Sequence, residues 1–340
     1  MQLLMLISPS ANRVYADAAP GLAAAELAIC AGLDDVATTT VGGVDYLRFE
    51  AEPGNELLQV LSAQSWLLAV FEVVGDDLLR PVAVPDTDWF DDDLVTIPKY
   101  SGKTNEQFTR LLLNVTLAAV DRPAGTDDDP WTVLDPLCGR GTTLSQVLLR
   151  GMNAAGVEGD VKSVEAMAAF HRTWLRRKRL KHSAEMTPVR RDGKSLGKRF
   201  DVTVGSDRRL GTKRRELTVF TGDTRKSKSL YGKKKFDAIV TDAPYGVVHG
   251  SQTDVRGTSG KRDRSAAGLL AEAVPVWASQ LKPGGALGIS WNTFGLARED
   301  LAEICAKAGL EPRTAGPWLH LAHRVDSSIN RDVLVAVRPG

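Results

Sequence analysis

Short apolar runs alternate with longer amphipathic stretches along the chain. Leu3-Leu4-Met5-Leu6-Ile7 reads as a first strand, and Arg13-Val14-Tyr15-Ala16 as a second, short one. Pro20-Gly21-Leu22 opens a predicted helix with apolar Leu22, Ala25, Leu27 and Ile29, ending near Gly32. A glycine turn and strand follow over Val41 to Phe49, then a second helix from Asn55 to about Leu61, then a strand over Trp66 to Val74. This order predicts a small ferredoxin-like α+β unit over residues 1 to 95. Pro81 to Asp93, with its acidic cluster, reads as a linker.

Beyond residue 96 the pattern changes to strands that read as buried on both faces, separated by helices. Thr132 to Asp135, Ala154 to Glu158, Leu217 to Thr221 and Phe236 to Thr241 are such strands, the last almost wholly apolar. Further on come a helix over Leu269 to Leu281, a strand over Ala286 to Trp291, a helix over Glu299 to Ala308, and a final pair around Leu319 to Arg324 and Val333 to Val337. The alternation predicts an α/β, Rossmann-like sheet over residues 96 to 340. Residues 183 to 215, rich in glycine and basic side chains, read as an inserted hairpin or loop. The Gly/Ser/Thr-rich His249 to Arg264 reads as a lid or a loop.

A chain of 340 residues is long enough for two such units. Its three cysteines, Cys30, Cys138 and Cys305, have neither metal spacing nor an even-numbered framework, so a reducing, cytoplasmic setting is expected. No metal is expected: the five histidines fall in no H-x-E pattern and no C-x-x-C occurs, which argues against zinc deaminase chemistry. No run approaches 18 apolar residues, so no membrane partner is expected.

The predicted strands share a further feature. Each ends in a carboxylate: Asp135, Glu158, Asp223 and Asp242. Open α/β sheets hold their ligands at the C-terminal ends of strands. After Asp135 comes Pro136-Leu137-Cys138-Gly139-Arg140-Gly141-Thr142, a glycine turn in which Thr142 can cap the next helix. It is neither the G-x-G-x-x-G fingerprint nor a Walker loop, which argues against NAD and nucleoside triphosphates. Glu158, about 20 residues on, can accept the hydroxyls of a ribose, and Asp223 the amino group of an adenine. Asp242-Ala243-Pro244-Tyr245-Gly246 places a carboxylate, a backbone acceptor, a rigid turn and a ring together, a set suited to a flat, amino-bearing base; an ordinary Asp-x-Pro turn reads the same way. Cys138 within the glycine turn reads first as a small packing residue.

The series Asp-Pro-x-Cys-Gly-x-Gly-Thr, Gly-Val-Glu, Gly-Asp-Thr and Asp-x-Pro-Tyr-Gly resembles the S-adenosylmethionine-dependent amino-methyltransferases of nucleic acids. Among these it looks most like the tRNA guanosine N2-methyltransferases, often THUMP-associated. The resemblance covers roughly residues 97 to 338. It implies a seven-stranded sheet ending in an antiparallel hairpin, with S-adenosylmethionine as cofactor. It places Asp135, Pro136, Cys138, Gly139, Gly141 and Thr142 around the methionine end, Glu158 on the ribose, and Asp223 and Thr224 on the adenine. Asp242, Ala243, Pro244 and Tyr245 would hold the target base. A segment before the glycine turn covers the cofactor's carboxylate in that family, which makes Thr104, Phe108 and Thr109 candidates. The same residues also read as a capped helix, with Thr104 as N-cap and Gln107 completing a capping box. The chain departs from the family in having Ala243 where Pro is usual, and in lacking the length for a full THUMP domain.

Charge narrows the partner. The net charge of +1 hides about 16 acids against 4 bases in residues 1–100, and about 22 bases against 6 acids in residues 172–235. Such density is a polyanion footprint; single charge runs are otherwise solvated faces. The nucleic-acid-binding candidates are Arg176, Arg177, Arg179, Arg190, Arg191, Arg208, Arg209, Arg214 and Arg215, expected to reach the rim of the same site. The expected activity is methylation of an exocyclic amine in RNA, guanosine N2 of tRNA foremost. The alternatives are a DNA adenine or cytosine amino-methyltransferase and a non-catalytic RNA-binding protein on the same scaffold.

Overall fold

A computed structural model describes residues 1–9, 13–75, 78–126, 128–191, 194–205, 213–244 and 266–340, excepting the side chains of 13–15, 191 and 194–196. Tyr245, Arg208, Arg209 and the candidate lid at 249–264 lie outside the described residues, as does the side chain of Arg191.

The first layer runs β1 (Gln2–Ile7), α1 (Arg13–Ala31), β2 (Ala37–Val41), β3 (Val44–Glu50), α2 (Asn55–Ala63), β4 (Leu67–Val74) and β5 (Leu78–Val82). Its strands form a wholly antiparallel sheet in the order β2-β3-β1-β4-β5. That is the expected split βαβ arrangement with a fifth strand added at one edge. Two local readings are corrected. Residues 13–16 are the first turn of α1 rather than a strand, and Pro20 lies inside that helix rather than opening it. Proline forfeits one backbone hydrogen bond there; the burial of Leu22, Ala23 and Leu27 keeps the helix packed around it. Pro81 lies in β5, an edge strand, where a missing N–H is tolerated.

The second layer continues through α3 (Asp93–Thr96), α4 (Glu106–Ala118), β6 (Thr132–Asp135), α5 (Thr142–Leu149), β7 (Asn153–Glu158), α6 (Val161–Arg177), β8 (His182–Arg191), β9 (Lys194–Gly205) and β10 (Arg214–Thr221). It is completed by α7 (Ser227–Tyr231), β11 (Phe236–Asp242), α8 (Ala266–Ala278), β12 (Leu281–Asn292), α9 (Arg298–Lys307), β13 (Glu311–Pro312), β14 (His323–Arg324) and β15 (Asn330–Val337). The sheet order is β13-β15-β12-β11-β6-β7-β10-β9-β8. Strands β10, β7, β6, β11 and β12 are mutually parallel, and β15 runs antiparallel between β12 and β13. The seven strands from β13 to β10 in this order make the Rossmann-like arrangement expected, and β14 pairs with β15 off this path. The basic insertion is a hairpin, β8–β9, added antiparallel beyond β10.

Helix α4 joins the layers. Phe108, Thr109, Leu111 to Thr116 are all buried, so the helix is covered on every side. It packs against α1 on one side and against α5, β11 and β12 on the other. A continuous set of buried side chains runs from Leu3 and Leu27 through Leu111 and Leu112 to Val133 and Val240. A polar knot sits within it. Asn114 Nδ2 donates to Glu26 Oε1 and to the Ala63 carbonyl, both at 2.7 Å, and Ser65 Oγ donates to Glu26 Oε1 at 2.7 Å. Burial holds the Glu26 carboxyl above its ordinary range against these donors. Removing one partner from such a knot strands the other. Asn114→Ala should lower the unfolding free energy by about 1–3 kcal/mol in urea titration. A loss below about 0.5 kcal/mol, the range of ordinary surface changes, would show that the knot does not hold the layers together.

Candidate functional site

Strand order reverses between β6 and β11: the chain leaves β6 toward β7 and β10, then crosses back to β11. Such a switch point opens a crevice at the C-terminal ends of the strands. Asp135 is the last residue of β6, Glu158 of β7 and Asp242 of β11. Asp223 follows two residues past the end of β10, where Thr221 pairs with Glu158, so the fold brings all four predicted carboxylates to one edge of the sheet.

Asp135 is buried. Its Oδ1 accepts from Leu137 N at 3.0 Å and from Thr241 Oγ1 of β11 at 2.9 Å, which ties the two diverging strands together. Burial raises its carboxyl to about 7 despite these donors. The glycine turn follows. Gly139 (φ 50°) and Gly141 (φ 86°) occupy the left-handed region, which a side chain would resist. A methyl group on Gly139 would meet no atom within 4 Å, so the turn faces open space. Gly139 N donates to Glu158 Oε2 at 2.8 Å, and Asp160 N to Glu158 Oε1 at 2.7 Å. Burial keeps the Glu158 carboxyl above its usual range. Pro136 is buried behind the turn. Cys138 is buried against Gly156, and burial pushes its thiol well up, as its packing role requires. The N-cap of α5 is Gly141, not Thr142; the Thr142 hydroxyl instead shares a 2.9 Å hydrogen bond with Tyr100, whose ring lies 4.9 Å beneath the Arg140 guanidinium. The segment around Tyr100 thus folds onto the glycine turn.

Asp242 is fixed from two sides. Thr104 Oγ1 donates to its Oδ2 at 2.6 Å and Ser290 Oγ to its Oδ1 at 2.8 Å; Arg331 Nη2 stands 3.8 Å from Oδ2. Ala243 is buried, its N–H donating to the Ser290 carbonyl at 2.8 Å, while Pro244 is exposed. The cap of α4 is Asn105, whose Oδ1 accepts from Phe108 N at 3.0 Å, so Thr104 is released from the capping box and reaches Asp242.

The remaining candidates are engaged in contacts of their own. Phe108 is a buried ring under the Arg331 guanidinium at 4.6 Å, and the Thr109 hydroxyl bonds back to the Asn105 carbonyl at 2.9 Å. Thr224 is buried and accepts from Trp277 Nε1 at 3.0 Å. Asp223 caps the 3-10 turn Thr224–Lys226 and is paired with Arg225 at 2.8 Å, which holds its carboxyl below the usual range despite partial burial. Arg215 is buried with its guanidinium 4.0 Å over the Trp89 ring and a hydrogen bond to the Gly151 carbonyl, which removes it from any nucleic-acid contact. The basic stretch does not gather at one rim. Arg176, Arg177 and Arg179 lie at the end of α6 at the far edge of the sheet and Arg214 begins β10 there, whereas Arg190 lies at the edge where Asp135, Glu158 and Asp242 end their strands.

Ser290, Arg331, Thr241 and Tyr100 are site residues that sequence reasoning missed. Ser290 and Arg331 each interrupt or open an otherwise apolar strand, the signal that could have marked them.

No known family pattern matches the chain, and no curated protein matches it. Among solved structures it is similar to TrmN from Thermus thermophilus (13% identity, covering 99% of this chain and 100% of that one, TM-score 0.46). It is also similar to a TehB-like SAM-dependent methyltransferase from Corynebacterium glutamicum (16% identity, 66% and 84% covered, TM-score 0.36) and to precorrin-6y C5,15-methyltransferase from Geobacter metallireducens (10% identity, 75% and 98% covered, TM-score 0.39). None of these scores reaches 0.5. Among the described residues, no group of His, Cys, Asp and Glu could hold a metal ion and no helix is long and apolar enough to cross a membrane.

The raised Asp135 carboxyl sets a pH dependence. The native state favours its protonated form, so its contribution to stability is complete below about pH 4, its unfolded range. That contribution is lost as pH rises toward its native value of about 7. Asp135→Asn removes this titration, so the variant should gain stability relative to the parent across that interval. Urea midpoints of both proteins at pH 4.0, 5.5 and 7.0, all in about this window, check it; parallel profiles would refute the assignment.

Proposed function

We propose that this protein is a methyltransferase that uses S-adenosylmethionine to methylate an exocyclic amine of a nucleobase in RNA, guanosine N2 of a tRNA being the first candidate. The observation that carries the reading is the double anchoring of Asp242 at the end of β11, beside the switch point where Asp135, Glu158 and the open glycine turn converge. The residues fit the cofactor in part. Glu158, oriented by Gly139 and Asp160, would take the ribose hydroxyls, and the open face of Gly139 leaves room for the adenosyl group. Asp135 and Thr142 would stand at the methionine end. Asp223 would reach an adenine amine only by sharing its carboxylate with Arg225, and buried Thr224 supports this turn from within.

When bound, the cofactor supplies an electrophilic methyl group. Asp242 has the protein's part of the chemistry. An exocyclic amine is a weak nucleophile because its lone pair is delocalised into the ring. An acceptor on its N–H draws that pair back onto nitrogen, and Asp242 takes the proton released as the N–C bond forms. The Ala243 carbonyl is the second acceptor, and Pro244 shapes the turn. Thr104 and Ser290 hold the carboxylate in place, so that catalysis comes from positioning and fixed dipoles. Tyr245, which would stack on the base, completes the set in sequence. The division near residue 95, with the first layer as an accessory unit, belongs to the same reading.

Labelled S-adenosylmethionine offered with total tRNA, rRNA and genomic DNA should transfer label to tRNA, recovered as N2-methylguanosine. Asp242→Ala should abolish transfer while calorimetric cofactor binding survives; turnover near that of the parent would remove Asp242 from the mechanism. Thr104→Val, which keeps shape and loses the donor, should lower kcat on the order of ten-fold or more with little change in KM, whereas Thr104→Ser should restore most of it.

A further inference from the structure

The two ends of the added hairpin differ in charge and in position. Register fixes where each residue stands. Thr221 pairs with Glu158, Phe220 with Arg199, and Lys198 with Pro188, so Glu158, Thr221, Lys198 and Pro188 lie abreast at the catalytic edge. Lys198 N donates to Thr221 Oγ1 at 2.7 Å. Gly197 (φ 121°) passes so close over Thr221 that a side chain there would strike its carbonyl, and a register shift falls between Val189 and Arg190. Such irregularities re-aim a strand. Beyond them the backbone of Arg190 and Arg191, paired with Ser195 and Lys194, extends past the ends of β7 and β10 by roughly 10 Å.

The other end lies along α6. That helix begins three residues after Glu158 and descends its own length of about 26 Å. It delivers Arg176, Arg177, Arg179 and Lys181 to the opposite edge, where Arg214 begins β10; all five are exposed. Arg179, in the left-handed conformation (φ 54°), ends the helix and turns the chain into β8. Between the two ends the charges cancel: Lys198 pairs with Glu165 at 2.7 Å and Arg199 with Asp201 at 2.7 Å. Among the described residues of α6, β8 and β9 no Phe, Tyr or Trp is exposed, and the exposed ring is the His182 imidazole, whose Nδ1 lies 2.7 Å from the Leu180 carbonyl oxygen. The edge therefore offers neither the stacking platforms of single-strand binders nor the apolar face of a membrane-surface helix. What it offers is two cationic contacts on a rigid line, spaced by about ten residues of strand or roughly 30 Å.

We propose that this outer edge docks the phosphate backbone of a double-helical nucleic-acid segment at two points, Arg190 beside the methyl-transfer site and the Arg176, Arg177, Arg179, Lys181 and Arg214 cluster about ten base pairs away. The inference rests on the nucleic-acid reading above and deepens it: the enzyme measures a helix leading into its target rather than a sequence, since phosphate contacts position without specifying.

Binding needs no catalysis, so fluorescence anisotropy without cofactor tests it. The probes are labelled RNA hairpins with stems of about 12 and about 4 base pairs, a DNA duplex matching the longer stem, and an unstructured RNA of equal length. The long stem should bind most tightly. Arg176→Glu/Arg177→Glu/Arg179→Glu should weaken it ten-fold or more and reduce the salt slope by about three, while leaving the short stem unchanged. Arg190→Glu should weaken both stems. The far-edge variant binding the long stem as the parent does, or losing both stems equally, would overturn the two-point surface, as would preference for the unstructured strand. Preference for the DNA duplex would keep the surface and overturn the RNA assignment instead. Circular dichroism on the variants confirms that the fold survives charge reversal.

Discussion

The site depends on one topological constraint, the reversal of strand order between β6 and β11. Two parallel neighbours whose connections leave in opposite directions cannot close their shared edge, and the crevice that results is inherited by whatever side chains end those strands. Here they are Asp135 and Asp242. The Thr241 hydroxyl, one residue before the end of β11, donates to Asp135 at 2.9 Å and closes the crevice at its base. That bond makes the buried Asp135 tolerable, because a buried acceptor without a donor would cost about 1–3 kcal/mol. It also fixes how the glycine turn departs, since the other donor to the same oxygen is Leu137 N within that turn.

Helix α4 carries the second dependence. Its N-terminal approach supplies Thr104 to Asp242, its first turn is capped by Asn105, and two turns later Asn114 enters the buried knot with Glu26 and Ser65. Arg110 between them pairs with Asp88 at 2.9 Å and donates to the Ala63 carbonyl. One rigid helix thus touches the carboxylate proposed to act on the base and the first layer's core. The first layer is consequently part of what holds Thr104 in position, since a helix about 20 Å long displaced at one end is displaced at the other.

Much of this was legible in the sequence because parallel strands buried on both faces are apolar throughout. A polar residue at the end of such a run has no structural excuse, so Asp135, Glu158 and Asp242 announced themselves. Thr104 was legible only as a choice. Threonine and asparagine are both good caps, and a local reading has no means of knowing that Asp242, 138 residues away, bids for one hydroxyl. Arg215 failed for a related reason: alternation along β10 turns it inward, but an arginine amid basic neighbours reads as surface until Trp89 is seen to cover it. Residues 13–16 failed because four residues hold too little periodicity to separate a strand from the first turn of a helix.

The largest gap concerned charge. A run of basic residues in sequence invites the picture of one basic patch, yet regular structure converts sequence separation into distance at a fixed rate. Arg179 and Arg190 are eleven positions apart, and a strand spends about 3.3 Å on each, which carries them to opposite edges of the sheet. Arg179 and Arg214 are thirty-five positions apart and lie at the same edge, because the hairpin between them returns the chain to its start. Electrostatic fields in salt fade over about 8–10 Å, so two clusters separated by a strand's length act as separate contacts rather than as one diffuse attraction. A partner must therefore supply phosphates at both places at once to benefit from both. Rigidity then becomes an advantage, because a flexible strand gives up entropy to be held at two points while a helix already has its phosphates in place.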